Sequence, residues 1–377
     1  MKVIFTGGAS GGHFYPIIAV AQALDSLVFD EKYVKPKMFY FGPTEYDKKL
    51  LFDNDIVFKR VVAGKRRVGY GRFQNFLDLF VTLRGILQAV WHMYRIFPDV
   101  VFSKGSFTSI PVLIAARLFG IPVVVHESDS RPGRANIWAG AFANKVAVSY
   151  PDAAEFFDMN KVAVTGNPIR KELLVLPTKE EGRSFFEIEN DAPVILVMGG
   201  SQGAEKINEA VLGILGRAVS YYSIIHQTGA YNFEEINRTK DVILEGNQHK
   251  ERYKPLAFLD AEETRHAAAA ADLVITRAGS SLFEIAEWKI PSVVIPINIS
   301  NADHQRANAY AYTHEGAGVV IEEANLTPNI ILSQIHSIFS NDSIRNQMGE
   351  AAHNFARSGA AKKIAHALFD IGMKHEK

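Results

Sequence analysis

The sequence predicts an α/β protein built from two doubly wound parallel sheets. Short β-branched runs alternate with longer helix-like segments along the whole chain, which is the pattern of consecutive βαβ units. The chain has 377 residues, which exceeds the usual size of a single domain. Glycine-rich turns follow two of the apolar runs, one in each half of the chain. Together these observations indicate two domains of the same class.

Ten short apolar runs carry the strand prediction. In chain order we expect strands at Val3–Phe5, Met38–Phe41, Val100–Phe102, Val123–His126, Lys145–Val148, Val162–Thr165, Val194–Met198, Ser223–His226, Leu273–Thr276 and Ser292–Ile295. The helix-like segments between them show apolar residues at spacings of three and four. An alanine-rich helical segment, from about Ser343 to His375, follows the last of these strands.

The domain boundary is predicted after the sixth strand. Gly166-Asn167-Pro168 interrupts the pattern there, and about 25 mostly polar residues follow before the strand that begins at Val194. The expected domains are residues 1–165 and 166–345. We expect the remaining segment, 346–377, to be a helix that packs near the junction of the two domains.

Composition excludes several classes of protein. Hydrophobic residues at 47% and charged residues at 22% are typical of a globular chain and exclude a disordered one. The absence of cysteine excludes disulfide scaffolds, thiolate zinc sites and cysteine nucleophiles. A net charge of zero conceals an asymmetry, because residues 1–165 hold 20 Lys and Arg against 14 Asp and Glu. Residues 166–377 hold 21 against 27.

The excess of positive charge lies mainly in one stretch of the first half. Between residues 59 and 97 only Asp78 is acidic, and the basic residues are Lys59, Arg60, Lys65, Arg66, Arg67, Arg72, Arg84 and Arg95. Such a stretch suits nucleic acid, anionic lipid or an anionic substrate, or forms a solvated face. Composition alone does not decide among these.

The two glycine turns predict anion binding. The first strand ends in Gly7-Gly8-Ala9-Ser10-Gly11-Gly12-His13, and Val194–Met198 leads into Gly199-Gly200-Ser201-Gln202-Gly203. An apolar helix follows each turn, and the free amides at a helix amino terminus hold anions. The alternative is that the glycines only permit tight turns. An NAD site is disfavoured because the second strand ends in Gly42-Pro43-Thr44, without an acid at the position that would hold the ribose, and neither turn ends in the Lys-Ser/Thr of a P-loop.

The second turn also allows a hydrolase interpretation. Gly199 to Gly203 satisfies the G-x-S-x-G pattern of a nucleophile elbow, with Asp272 and His304 downstream in the appropriate order. In that interpretation Ser201 is a nucleophile, and the first glycine turn has no role. In the anion-binding interpretation Ser201 donates a hydrogen bond to a phosphate.

A third set of motifs carries a family resemblance. Arg277-Ala278-Gly279-Ser280-Ser281-Leu282-Phe283-Glu284 is followed by Asp303-His304-Gln305-Arg306-Ala307-Asn308. Together with the two glycine turns, with His126-Glu127 to Asn136 and with Gly166 to Arg170, these motifs closely resemble the MurG family of glycosyltransferases, family 28. The motifs occur in the family's order from residue 4 to about residue 325.

The resemblance implies the GT-B fold, in which two Rossmann-like domains face a cleft. It implies an inverting enzyme of peptidoglycan precursor synthesis, and hence of cell-wall growth, shape and division. The donor would be UDP-N-acetylglucosamine, and the acceptor an undecaprenyl-pyrophosphoryl-muramyl-peptide. The family needs no cofactor or metal, and no nucleic acid partner is expected. The alternatives are another GT-B UDP-sugar transferase, such as a glycolipid synthase, a noncatalytic nucleotide-binding module, or a serine hydrolase.

The resemblance also implies the binding residues. The amino-terminal domain would hold the acceptor at Ser10, Gly11, Gly12 and Asp129. The carboxyl-terminal domain would hold the donor, with Glu284 on the ribose hydroxyls, Ser201 on the pyrophosphate and Arg170 neutralising the departing UDP. Phe258 and Leu259 would form the uracil site, Gln305 would contact the sugar, and Ser281 would contribute from its loop.

Two residues are candidates for the catalytic base. His13 has the side chain whose ordinary pKa, near 6.5, suits removal of a proton from the acceptor 4-hydroxyl. A structural role in the turn is the alternative for His13, and Glu127 is the competing base. No metal site is predicted, because Asp53-Asn54-Asp55 spells D-x-D but precedes a short strand and is expected to be solvated.

Three positions depart from the family pattern as the resemblance presents it. Ser128-Asp129 stands where Gln-Asn is common, so an amide is replaced by a carboxylate that only accepts hydrogen bonds. Ser106 stands where a glycine is common. The spacing from Arg277 to Glu284 is one residue shorter than usual.

The basic stretch encloses an amphipathic pattern. Apolar and aromatic residues recur at spacings of three and four: Phe73, Phe76, Leu77, Phe80, Leu83, Leu87, Val90, Trp91 and Tyr94. This face either packs into its own domain or rests on an anionic bilayer, flanked by Arg66, Arg67, Arg72 and Arg84. In the second case the protein would be peripheral on the cytoplasmic face of the cell membrane.

Overall fold

The computed structural model describes residues 1–8, 10–65, 72–188, 191–200, 203–298 and 303–375, with the backbone alone for residues 72–75. The chain divides into two compact units. Unit 1 comprises Met1–Lys171 and Gly359–Lys377, and unit 2 comprises Glu172–Ser358. Unit 1 therefore extends past the expected boundary at residue 165 and also includes residues 359–377.

Unit 1 contains a seven-stranded parallel sheet in the order β3-β2-β1-β4-β5-β6-β7. Its strands are β1 (Lys2–Thr6), β2 (Lys37–Gly42), β3 (Ile56–Arg60), β4 (Val100–Ser103), β5 (Val123–Glu127), β6 (Lys145–Val148) and β7 (Val162–Val164). Its helices are α1 (Gly11–Asp30), α2 (Lys48–Asp53), α3 (Arg72–Ile96), α4 (Ile110–Leu118), α5 (Arg134–Gly140) and, from the end of the chain, α14 (Ala360–His375). The central strands are apolar because helices cover both faces of such a sheet.

Unit 2 repeats this arrangement with six parallel strands in the order β10-β9-β8-β11-β12-β13. Its strands are β8 (Val194–Met198), β9 (Ser223–Gln227), β10 (Tyr253–Leu256), β11 (Leu273–Thr276), β12 (Ser292–Val294) and β13 (Gly318–Val320). Its helices are α6 (Lys179–Phe185), α7 (Glu205–Ala218), α8 (Phe233–Ile243), α9 (Ala261–Ala270), α10 (Ser281–Glu287), α11 (His304–His314), α12 (Pro328–Phe339) and α13 (Asp342–Ala356). The predicted fold class, two doubly wound parallel sheets, is thus confirmed.

Each sheet has one point at which the strand order reverses. In unit 1 it lies between β1 and β4, and in unit 2 between β8 and β11. Connections leave these two strands in opposite directions, which opens a crevice at the carboxyl ends, the usual ligand site of open α/β sheets. Each predicted glycine turn follows the strand on one side of such a point.

Helix α14 completes the core of unit 1. Its buried residues Ile364, Ala365, Leu368 and Phe369 pack in one cluster with β1, β4 and α1. The single helical segment expected from 346 to 377 is instead two helices, since α13 ends at Ala356 and packs in unit 2.

One described helix, α1, is long and apolar enough to cross a membrane by length and composition alone. However, 61% of its apolar window is buried inside the protein. That burial is typical of a core helix, and α1 contributes Phe14, Ile17, Ile18 and Leu24 to the cluster that α14 covers.

Candidate functional site

In unit 1 the described candidate residues gather at the carboxyl edge of the sheet. Ser10 precedes α1, and its carbonyl accepts hydrogen bonds from the amides of His13 and Phe14. Gly11 and Gly12 form the first turn of the helix. The turn fits closely around the His13 ring, because a Cβ added at Gly8 would lie 2.5 Å from its Cδ2.

His13 is oriented by a backbone carbonyl. Its Nδ1 lies 3.3 Å from the carbonyl oxygen of Lys104, at the tip of β4. A carbonyl only accepts, so Nδ1 carries the proton in this contact and Nε2 carries the lone pair. In this tautomer Nε2 is the ring nitrogen that can accept a proton.

Glu127 ends β5 with its carboxylate buried among hydrogen-bond donors. Oε1 accepts from the amide of Asp129 at 3.0 Å, and Oε2 accepts from the amide of Gly133 and from Asn136 Nδ2, each at 2.9 Å. Burial raises the pKa of Glu127, and the charge of Asp129 raises it further, while the charge of Lys104 lowers it. With three donors on its two oxygens, Glu127 braces the loop that carries the half-buried Asp129.

Arg170 lies in unit 1, beyond β7. Its guanidinium is 4.2 Å from the ring centroid of Tyr15 on α1, which is the geometry of a cation–π contact. Burial raises the pKa of Tyr15 to about 12. The Tyr15 hydroxyl is therefore neutral near pH 7.

In unit 2 the described candidates also lie at the carboxyl edge of the sheet. Leu259 is buried between β10 and α9, while the neighbouring Phe258 is half exposed. Ser281 begins α10, and Glu284 stands half-buried in the first turn of that helix, where a carboxylate is favourable. Ser201 lies outside the described residues.

The loops after β11 and β12 are tied together. Arg277 pairs with Glu323 at 2.6 Å and also donates to the carbonyl of Ile295 at 3.1 Å. Gln305 Oε1, on α11, accepts from the amide of Ile297 at 3.2 Å. These bonds hold together the loops that follow β11, β12 and β13 at this edge of the sheet.

A buried polar network supports the second glycine turn. His226 contacts Tyr253 through Nδ1 at 2.8 Å and Asn208 Oδ1 through Nε2 at 3.0 Å. Burial lowers the pKa of His226 to about 3, so the ring is neutral. Asn208 donates onward to the carbonyl of Thr228, against which Gly203 packs.

The hydrolase interpretation is not supported by the sheet. Asp272 precedes β11, and its carboxylate binds the amide of Val194 at the start of β8, as well as Lys179. It therefore lies at the amino edge, whereas the second glycine turn follows the carboxyl end of β8. The predicted Ser-His-Asp arrangement would need both groups at one edge.

The D-x-D triplet lies on the surface of unit 1. Asp53 and Asp55 are exposed, and Asp55 pairs with Lys35 at 2.8 Å. Among the residues that the structure describes, no group of three or more His, Asp or Glu side chains is arranged to hold a metal ion.

Comparison with known proteins identifies the family. Residues 3–148 match the model of the glycosyltransferase family 28 N-terminal domain, and residues 194–364 match that of the family 28 C-terminal domain. The chain belongs to glycosyltransferase family 28.

Two relatives and one solved structure show which members of family 28 this chain is similar to. It is 36% identical over 343 residues, 90% of each chain, to the Clostridium perfringens "UDP-N-acetylglucosamine--N-acetylmuramyl-(pentapeptide) pyrophosphoryl-undecaprenol N-acetylglucosamine transferase". The Clostridium novyi protein of the same name is 34% identical over 94% of this chain and 95% of its own. The crystal structure of Acinetobacter baumannii MurG matches with a TM-score of 0.74 and 24% identity, over 98% of this chain and 99% of its own. The predicted resemblance is therefore confirmed, and the chain is a glycosyltransferase of the GT-B fold.

Sequence reasoning missed one group at the candidate site of unit 1. Lys104 was not among the candidate residues, yet its side chain is 1% exposed next to the strand-order reversal. The available signal was a lysine directly after the apolar strand Val100–Ser103. Ser106 itself adopts a φ of 77°, a conformation that favours glycine.

The second glycine turn yields a test of its close packing. Gly203 has a φ of +78°, and a Cβ there would lie 2.4 Å from the carbonyl oxygen of Thr228. Gly203→Ala should therefore lower the melting temperature of the protein clearly more than Gly246→Ala, where φ is +72° but nothing lies within 4 Å. Gly246→Ala should cost only the left-handed backbone penalty, about 1 to 2 kcal/mol. Equal losses in thermal unfolding would contradict the packing described for the turn.

Proposed function

We propose that this protein transfers N-acetylglucosamine from UDP-N-acetylglucosamine to the 4-hydroxyl of the muramyl sugar in a lipid pyrophosphate-linked peptidoglycan precursor, converting lipid I to lipid II. The observation that carries this proposal is the activity after which two relatives are named, which are 34% to 36% identical over about nine-tenths of the chain. The acceptor oxygen attacks the anomeric carbon opposite the leaving group. The carbon–oxygen bond to UDP breaks, and a base takes the hydroxyl proton.

The two anion-binding turns suit the two substrates. Both the donor and the acceptor carry a pyrophosphate, and each unit has a glycine turn at its strand-order reversal. Helix amino termini and backbone amides stabilise such charges. We assign the acceptor to unit 1, at Ser10, Gly11, Gly12 and Asp129. We assign the donor to unit 2, at Ser201, Leu259, Ser281, Glu284 and Gln305. Arg170 would neutralise the negative charge that develops on the departing UDP.

His13 is the proposed base. The carbonyl of Lys104 selects the tautomer with the lone pair on Nε2, and the ring is half-buried at the amino terminus of α1. Glu127 is less suited to this task, because its two oxygens already accept three hydrogen bonds. We therefore assign Glu127 to holding the loop of Asp129.

The donor assignment predicts the effect of Glu284→Ala. Two charge-assisted hydrogen bonds to the ribose would be lost, and UDP should bind at least about tenfold more weakly in calorimetry. Glu287→Ala, on the same helix but bonded to Ser358, is the matched control and should keep its affinity for UDP. Unchanged affinity in folded Glu284→Ala would remove Glu284 from the donor site.

The base assignment predicts that His13→Ala lowers kcat by about 10² to 10⁴ while the Kd for UDP changes little. The rising limb of the pH profile should flatten in the same variant. The control is His366→Ala, since His366 is an exposed histidine on α14. A large loss of UDP affinity with kcat retained would instead identify His13 as a binding residue and return Glu127 to consideration.

A membrane role is proposed for α3, which is a single helix through Gly85. Its predicted apolar face is largely solvent-exposed, including Phe76, Leu77, Phe80, Leu83, Leu87, Trp91 and Tyr94. The described basic residues around it, Lys65, Arg84 and Arg95, are also exposed, and Arg95 lies 5.6 Å from the Trp91 ring. Exposed aromatic surface beside positive charge fits the interface of an anionic bilayer, where the lipid-linked acceptor is anchored. Arg66 and Arg67, and the side chain of Arg72, lie outside the described residues.

The membrane assignment predicts reversible binding to lipid. The protein should sediment with phosphatidylglycerol vesicles but not with phosphatidylcholine vesicles, and high salt should release it. Changing Arg66, Arg67 and Arg72 to Glu should abolish sedimentation, because each basic side chain contributes about 1 kcal/mol. Phe80→Ser/Trp91→Ser should weaken it, whereas Tyr231→Ser, at an exposed aromatic of unit 2, should not. UDP affinity should be kept throughout, and sedimentation of the triple variant would show that another surface makes the contact.

A further inference from the structure

Lys104 is a buried cation at the acceptor edge of unit 1. Its side chain is 1% exposed, and no hydrogen-bond acceptor among the described residues reaches its Nζ. Burial lowers the pKa of Lys104 to about 8, while the charges of Glu127 and Asp129 raise it. A buried ammonium is costly, so it persists only where nearby carboxylates compensate it.

The contacts of the β4 tip place the chain around Lys104 against the β5 loop. A Cβ at Gly105, the next residue, would lie 2.6 Å from both terminal atoms of the Asn136 amide. Asn136 in turn donates to Glu127 Oε2 and to the carbonyl of His126. The β4 tip, the end of β5 and the start of α5 thus pack together around one carboxylate.

The ionised form of Glu127 holds this loop. Three groups donate hydrogen bonds to the carboxylate: the amide of Asp129, the amide of Gly133 and the side chain of Asn136. Each of these donors needs an oxygen of Glu127 that accepts. A protonated Glu127 would direct its own O–H at one of these donors and lose that bond. Burial and the charge of Asp129 favour the protonated form, and Lys104 opposes both.

The other charged groups around the pair do not replace Lys104. His126 precedes Glu127 on β5, and burial together with the Lys104 charge lowers its pKa well below the usual value, so its ring is neutral. His13 faces the Lys104 carbonyl from α1. Arg131, on the loop, and Arg134, on α5, are exposed to solvent. Lys104 is therefore the buried cation beside Glu127 in the described part of unit 1.

We propose that Lys104 is a positioning residue: its ammonium keeps Glu127 ionised, and ionised Glu127 holds loop 128–133 in the conformation that receives the acceptor. The inference rests on the proposed transfer reaction for the use of that loop. It also accounts for Asp129, which stands where the family pattern has an amide, as a second negative charge that offsets the buried lysine.

The first test is Lys104→Met, with pH as the variable. An opposite charge at this range lowers the pKa of a carboxyl by about 1 to 3, so without Lys104 Glu127 should protonate at a pH at least about one unit higher. The acid limb of kcat/KM for transfer, to which His13 also contributes, should move to higher pH and become steeper, because a second group then titrates within it, and UDP affinity should be unchanged. The double variant Lys104→Met/Asp129→Asn, which removes one charge of each sign, should return the limb towards its wild-type position.

Thermal unfolding gives a readout that needs no activity. In Lys104→Met the pKa of Glu127 is raised further above its unfolded value, so the stability it contributes at low pH is lost as pH rises through the folded pKa. The Tm of the variant relative to wild type should therefore fall between about pH 4 and pH 7. A pH-independent difference in Tm together with an unmoved acid limb would overturn the proposal. Absence of transfer by the wild-type protein would overturn the proposed function instead.

Glu127→Gln provides a second variant in case Lys104→Met does not fold. Glutamine mimics the protonated acid, so transfer should fall at every pH and UDP affinity should be kept. The amides of Asp129 and Gly133 should exchange hydrogen at least about tenfold faster, because their acceptor is weakened. Loss of transfer with unchanged exchange at these amides would overturn the positioning role, as would full transfer by Glu127→Gln.

Discussion

Parallel pairing of the strands is the constraint on which both sites depend. Every strand pair in the two sheets is parallel, so each connection must cross over through a helix or loop and all carboxyl ends meet at one edge. This is why groups far apart in sequence, such as His13, Lys104 and Glu127, come together in unit 1. The same topology puts Glu284 and Gln305 at one edge of unit 2. Under the proposed function, the helix amino termini at these edges would supply the amides that bind the substrate pyrophosphates.

The second constraint is the cost of burying charge. In unit 2 the buried histidine beneath the glycine turn is neutral, and its two ring nitrogens are satisfied by Tyr253 and Asn208, so the site is supported without a buried ion. In unit 1 the corresponding edge holds a lysine and two carboxylates. The buried polar groups beneath the two edges are thus satisfied in different ways. A neutral network gives a support that is insensitive to pH, whereas a charged one links the loop to the protonation of one residue.

The sequence predicted the fold and the candidate loops well, because both depend on local signals. Central strands such as β8 and β11 matched their predicted bounds, since each is an uninterrupted apolar run between turns. The edge strands β10 and β13 were not among the predicted strands, because β10 contains Lys254 and Pro255 and β13 begins with a glycine. Periodicity located the face of α3, but only the structure showed that it is exposed. Asp272 follows Ser201 along the chain, as a hydrolase triad requires, but it lies at the amino edge of the sheet. The order of residues along the chain does not reveal the edge at which each residue lies.

The path of the chain has a consequence for synthesis on the ribosome. Unit 2 is one continuous segment, Glu172–Ser358, whereas unit 1 needs α14, which follows unit 2 along the chain. Until Ile364, Leu368 and Phe369 emerge, the apolar surface that they cover on α1 and β4 remains open to water. Unit 1 therefore completes its core only after the whole of unit 2 has been made. While unit 2 is being made, the nascent chain would therefore expose apolar surface of unit 1, the kind of surface that promotes aggregation.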